Sequence, residues 1–203
     1  MNMRIMTKNK RIFGLGINNL SENVYLYGKA SKPYQTWKGM LERCYSSKCH
    51  SKRPTYIGCT VAPEWLYFSN FKKWYDENYK EGFELDKDIL VEGNKVYSPD
   101  TCRFVPQNIN KLLNDNSNAR KSMQIGIVLR KPSKITRQKS ITYQAQCSNG
   151  FGKQLTKTFK TVEEASAWYS ETKARVVREV ATRALEAGEI QQDIFDALLA
   201  RKF

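Results

Sequence analysis

Residues 84–114 carry the order strand, turn, strand, helix, and that order limits what the surrounding chain can build. Two carboxylates flank a lysine at Asp86-Lys87-Asp88. Gly93-Asn94 follows, a pair that signals a tight hairpin because its two central residues must adopt positive φ. Val96-Tyr97 resumes an extended pattern, Ser98-Pro99-Asp100 breaks it, and Cys102-Arg103-Phe104-Val105 restores it. Pro106 suits the first turn of a helix. The result is a ββα unit of about thirty residues, the size of one supersecondary motif.

The stretch before it has to supply a core. Tyr34, Trp37, Leu41 and Cys44 recur at helical spacing, so a helix is expected over 34–44. A second helix is expected over 62–79, where Pro63 and Glu64 suit a first turn. Its aromatic stripe of Trp65, Phe68, Phe71, Trp74 and Tyr75 reads as core. Between the helices, residues 46–54 read as a Ser/Lys/Arg loop, either phosphate-contacting or simply solvated. Residues 1–20 read as an exposed basic arm, with a short strand at 24–27 and a break at Lys32-Pro33.

Residues 34–114 resemble the HNH (ββα-metal) endonucleases of bacteriophages. The resemblance rests on Leu85-Asp86-Lys87 and on Tyr97-Ser98-Pro99-Asp100-Thr101-Cys102-Arg103-Phe104. Upstream it rests on Trp37, Met40, Arg43-Cys44, Tyr56-Ile57-Gly58-Cys59, Val61, Trp65, Phe68 and Phe71. It implies metal-dependent phosphodiester hydrolysis of the homing type. Asp86 and Asp88 would hold Mg2+ or Mn2+ through hard carboxylate oxygens, with Asn110 as a neutral ligand and Asn108 and Asn114 as helpers. Arg103 or Lys87 would stabilise phosphate charge. The chain departs from the family at the general base. Its one histidine, His50, lies well upstream, and Lys87 or Asp86 stands where the family's histidine is expected. The family's Asn before the Cys-Arg pair is Thr101. A hairpin that keeps the fold without the chemistry is the other reading.

The formal net charge of +14 makes a polyanion the expected partner, and nucleic acid is the commonest one. No run approaches the ~18 apolar residues of a membrane span, so no membrane partner is expected. The N-terminal MNMRIMTKNKR lacks an apolar core, so no secretory signal is expected and the protein should stay in the cytoplasm. Reduced thiols are then expected at Cys44, Cys49, Cys59, Cys102 and Cys147. With His50 they give the spacing C-x4-C-H-x8-C, which lacks the close CxxC pair of a zinc knuckle. Buried thiols are expected in preference to Zn2+.

Charge is unevenly spread. Residues 76–100 hold eight acidic and three basic side chains, where a cation site would gather. Residues 119–160 hold ten Lys or Arg and no Asp or Glu. Residues 114–121 read as a linker into that basic segment. Three strands follow, around 125–130, 143–146 and 157–159, with a turn at Asn149-Gly150. A helix opens at Thr161 with Glu163-Glu164 in its first turn and runs to about Ala187, where Gly188 stops it. Ala165, Trp168, Tyr169, Thr172 and Val176 share one of its faces. A last helix over 189–201 presents Ile190, Ile194, Phe195 and Leu198, to pack back on the domain or to meet a partner.

Residues 125–173 resemble the APETALA/ethylene-response-factor type of DNA-binding domain. The residues that carry this are Gly126-Ile127, Arg130, Tyr143-Gln144-Ala145, and the run from Lys157-Thr158-Phe159 through Glu163-Glu164-Ala165 to Trp168-Tyr169. The resemblance implies a sheet that enters the major groove of double-stranded DNA. Arg130, Tyr143 and Gln146 would face DNA; Lys131, Lys134, Arg137, Lys139, Lys153 and Lys157 would contact phosphate. One base-reading arginine of the family is Val128 here, so sequence preference should differ or be weak.

The expected fold class is α+β: an HNH-like ββα module with aromatic-rich helices, then a three-stranded antiparallel sheet packed on a helix. The expected domains are a basic arm (1–33), the HNH-like module (34–116), the ethylene-response-factor-type domain (117–187) and a C-terminal helix (188–203). Three functions fit: a phage-type HNH endonuclease lacking the usual histidine, a catalytically inactive DNA-binding or regulatory protein, and an RNA- or ribosome-binding protein.

Overall fold

A computed structural model describes residues 11–113, 126–132 and 140–203. It is a mixed α+β chain in two compact units, Met1–Phe104 and Val105–Phe203. The division falls ahead of the boundary expected at 116/117, so the helix expected to close the ββα module belongs to the second unit.

The first unit is built on two aromatic helices. Helix α1 (Lys32–Tyr45) starts at Pro33 and buries Tyr34, Trp37, Met40, Leu41 and Cys44, the face that the periodicity requires. Short α2 (Ser47–Lys52) follows. The Ser/Lys/Arg segment is therefore a turn of helix rather than a loop, capped by Ser46 Oγ, which accepts the Cys49 N–H. The expected helix over 62–79 is split into a 3-10 turn, Pro63–Leu66, and α3 (Phe68–Asn78). The cause is Ile17. Its N–H donates to the Leu66 carbonyl at 2.8 Å, and its carbonyl accepts the Phe68 N–H at 2.9 Å. Those two groups would otherwise have continued the helical ladder through Tyr67.

That contact also corrects the exposed arm. Residues 1–10 lie outside the described residues, but from Ile12 onward the segment is docked: Ile12 and Phe13 pack against the core, and Asn19 Nδ2 donates to Ser69 Oγ. Gly16 is needed there, since a Cβ would come within 2.3 Å of Leu41 Cδ1 and 3.0 Å of the Trp37 ring. The core itself is Trp37, Trp65, Phe68 and Phe71 around Leu41 and Met40, with Trp37 Nε1 donating to the Trp65 carbonyl at 2.7 Å. Trp74 stacks on Phe104 and Tyr75 meets Phe71, so the whole aromatic stripe packs internally.

The strands of this unit are short. β1 (Tyr25–Leu26) pairs antiparallel with β2 (Lys29–Ala30). β3 (Thr60–Val61) pairs in parallel with β5 (Val96–Tyr97), and β4 (Phe83–Asp86) pairs with β6 (Arg103–Pro106). The strands flanking Gly93-Asn94 therefore do not form a hairpin with each other. Gly93 has φ +76°, but Asn94 is not left-handed, so the two-residue hairpin turn is not made. The ββα order survives with different partners: β4, a long loop, β6, then α4 (Gln107–Leu113) directly after.

The second unit holds α4, a three-stranded antiparallel sheet and two helices. The strands are β7 (Ile127–Arg130), β8 (Thr142–Ser148) and β9 (Gln154–Phe159), in the order β7-β8-β9. The sheet packs on α5 (Val162–Glu186), with Ile127, Ala145 and Ala165 fully buried between them. Thr161 and Glu164 form a capping box at the start of α5, and Gly188 at φ +66° ends its last turn, as the sequence predicts. The last helix, α6 (Gln192–Ala200), buries Ile194 and Leu198. Lys173, 5% exposed, donates to the Leu112 carbonyl, tying α5 to α4.

Candidate nucleic-acid interface

In the first unit, the loop between β4 and β6 is closed by its own side chains. The Asp88 N–H donates to Asp86 Oδ1 at 2.8 Å, a local turn that aspartate forms readily. Lys87 is only 7% exposed. Its Nζ donates to the Asn94 carbonyl at 2.6 Å and lies 3.0 Å from Asp88 Oδ2. Asn94 answers: its Nδ2 donates to the carbonyls of Lys87 and Val96, each at 2.7 Å. Thr101 Oγ1 bonds Ser98 Oγ and the Val96 carbonyl, and Arg103 Nη1 folds back on the carbonyls of Asp100 and Cys102.

This arrangement bears on the implied metal. Lys87 already places an ammonium against Asp88, so a divalent cation at that carboxylate would meet a like charge in a sheltered position. Asn114 lies outside the described residues. Among the described residues no group of three or more His, Cys, Asp or Glu gathers. Asp86 Oδ1 and Asp88 Oδ2 are already engaged within the loop, an arrangement that favours a structural role for both over Mg2+ or Mn2+. Lys87 Nζ is thus taken up by the Asn94 carbonyl and the Asp88 carboxylate. His50 is engaged elsewhere, its Nε2 donating to the Arg43 carbonyl at 2.9 Å.

The five cysteines are free thiols, four of them buried, and Cys49 half-exposed on α2. Burial pushes the Cys44 and Cys102 thiols up to about 12, each held protonated by its apolar surroundings. Neutral thiols packed this way act as small hydrophobes.

The second unit offers a different surface. Successive strand residues alternate between faces, and the register fixes which side each takes. Ile127 pairs with Ala145 and Ala145 with Lys157; Val128 pairs with Gln144 and Gln144 with Thr158. The first row faces α5. The second belongs to the opposite face, which carries Arg130, Gln144, Gln146, Thr156 and Thr158 and is polar apart from Val128. Arg130 Nε donates to Gln144 Oε1 at 3.0 Å, Arg130 Nη2 bonds the same oxygen, and Gln146 Nε2 reaches it at 3.0 Å. One carbonyl oxygen with two lone pairs thus serves three donors. Releasing a donor to an incoming acceptor leaves that oxygen still satisfied.

Of the residues expected to face DNA, Arg130 and Gln146 share this open face. Lys131 and Lys153 are exposed at strand ends, Lys153 in the β8–β9 turn, where its N–H donates to Asn149 Oδ1. Tyr143 and Lys157 take the helix-facing side: Tyr143 packs against the Ile127–Ala145–Ala165 core, and Lys157 Nζ lies 5.4 Å from the Phe159 ring centroid. Lys134, Arg137 and Lys139 lie outside the described residues. Gln144, at the centre of the polar row, escaped the sequence reading. The signal was available, because a strand residue two positions from Gln146 must share its face.

The chain has no significant match to a family model, a curated protein sequence or a solved structure.

Proposed function

We propose that this protein binds double-stranded DNA through the open face of the β7-β8-β9 sheet. The observation that carries the reading is the convergence of Arg130 and Gln146 on Gln144 on a face that α5 leaves uncovered. The stretch of sequence that contains these residues, 119–160, has ten basic and no acidic side chains. Arginine and glutamine are the side chains that read guanine and adenine edges bidentately. Lys131 and Lys153, at the margins of the sheet, supply phosphate contacts that set its register on the duplex.

On this reading the 86–96 segment is a structural loop held by Lys87 and Asn94, and the protein acts by binding rather than by hydrolysis. Incubation with supercoiled plasmid tests that half. The expected result is intact supercoiled DNA with Mg2+, with Mn2+ and in EDTA alike, and an Asp86→Ala variant that behaves as wild type does. Nicking that needs the divalent ion and disappears in Asp86→Ala would restore the hydrolytic reading.

A further inference from the structure

Strands β1 and β2 are joined by a two-residue turn, Tyr27-Gly28, with φ of +50° and +75°. Both residues are left-handed, as the mirror-image hairpin turn requires. Gly28 meets that demand without strain, but Tyr27 does not. A bulky side chain at positive φ is an outlier, and asparagine or aspartate is what backbone preference would place there.

The tyrosine gains nothing from the fold in return. It is 94% exposed, while the next most exposed large apolar residue, Val91, stands at 60%. The base of the hairpin, by contrast, is well tied. The Tyr25 ring meets Tyr34 edge-on at 5.9 Å, the Ser31 N–H donates to the Val24 carbonyl at 2.7 Å, and Gln35 Nε2 bonds the Ala30 carbonyl. A fixed stem thus holds one ring out in water. Strain kept at a position without packing value marks a position used for something else.

The local charge says what meets it. Lys29 is exposed two positions from the ring, and Lys32 follows three residues on. An exposed aromatic face with a lysine close by in the chain matches a base beside its phosphate. We propose that the β1–β2 tip is a nucleic-acid contact in which Tyr27 stacks on an unpaired base of DNA and Lys29 pairs with the adjoining phosphate. A paired base buries its faces in the duplex stack, so the tip discriminates for gaps, frayed ends or opened steps.

The test uses the full chain, a duplex with a short single-stranded gap carrying 2-aminopurine, and the same duplex fully paired. Wild type is expected to quench 2-aminopurine on binding. Tyr27→Asn should lose the quenching and bind gapped DNA about fivefold or more weakly, with affinity for paired duplex unchanged. Its melting temperature should equal or exceed that of wild type, since asparagine tolerates the turn. Tyr27→Phe should keep both quenching and affinity. Equal binding of gapped DNA by wild type and Tyr27→Asn, equal losses on gapped and paired DNA, failure of Tyr27→Phe, or no binding of gapped DNA by wild type each overturns the proposal. Paired duplex reports on the sheet alone, so a protein that ignores paired DNA yet quenches through Tyr27 would sink the sheet reading and leave this one standing.

Discussion

Gly126→Ala is expected to destabilise the second unit by about 2–5 kcal/mol and to abolish duplex binding with it. Gly126 opens the sheet at φ +80°, a region costly to any side chain. A Cβ there would come within 2.1 Å of Tyr169 Cε2 and 2.2 Å of Tyr169 Cδ2. Tyr169 sits on α5 against the Ile127–Ala145–Ala165 core, so it has little room to move aside. The backbone would have to yield instead, and the Gly126 carbonyl holds the Gln146 N–H at 2.6 Å. Displacing it shifts Gln146 and disturbs the polar row. Gly152→Ala is the control: Gly152 has φ +88° but nothing within 4 Å, so only the conformational cost of about 1–2 kcal/mol should appear. Thermal melts read the stability, and labelled duplex reads the binding. Equal small losses for the two variants would mean that the Tyr169 contact does not constrain the sheet.

Arg130→Ala is expected to cost about 1–3 kcal/mol on a preferred duplex and much less on random sequence. The guanidinium is exposed and held on Gln144 Oε1, and the proposed DNA-binding reading sets it against a base edge. Lys153 lies in the β8–β9 turn, where a flexible ammonium suits phosphate. Lys153→Ala should weaken preferred and random duplex alike and lower the salt slope by about one unit. Selection from a random duplex pool followed by titration of the enriched and scrambled sequences separates the two. Equal losses for Arg130→Ala on both would make Arg130 a phosphate contact or a sheet-edge cap, and the protein a non-specific binder.

Most of the second unit was legible because its signals are local. Thr161 with Glu164 three residues on defines a helix start, Gly188 defines its end, and Asn149-Gly150 marks the turn between two strands. The aromatic stripe of the first unit was legible for the same reason, its spacing being helical throughout. What could not be read locally depended on partners distant in the chain. The division of the 62–79 helix comes from Ile17, about fifty residues away, and no feature of that helix announces it. Gly93-Asn94 carries a strong local preference, yet β4 and β5 found β6 and β3 instead. The docked segment after residue 11 needed the cleft over Leu41 and Trp37, which exists only after folding.

The candidate site divides along the same line. Asp86, Lys87 and Asp88 were singled out for their chemistry; in the structure Lys87 bonds Asn94 and pairs with Asp88, while Asp86 Oδ1 accepts the Asp88 N–H. Burial of Lys87 was invisible in a segment so rich in charge. Tyr143 and Gln146 were assigned to one surface by resemblance, although their odd separation puts them on opposite faces of any regular strand. Counting by twos would have chosen Gln144 and Gln146.

Titration of a paired duplex against salt in EDTA tests the DNA-binding reading most directly. Each phosphate neutralised by Lys or Arg releases condensed counterion, so log K should fall linearly with log salt, at a slope of about −0.9 for each contact. The expected result is tight binding at low salt without any divalent ion, a slope corresponding to several contacts, and a smaller slope in Lys153→Ala. Binding that ignores salt, binding that appears only with a divalent ion, or no binding to any duplex at low salt would contradict it.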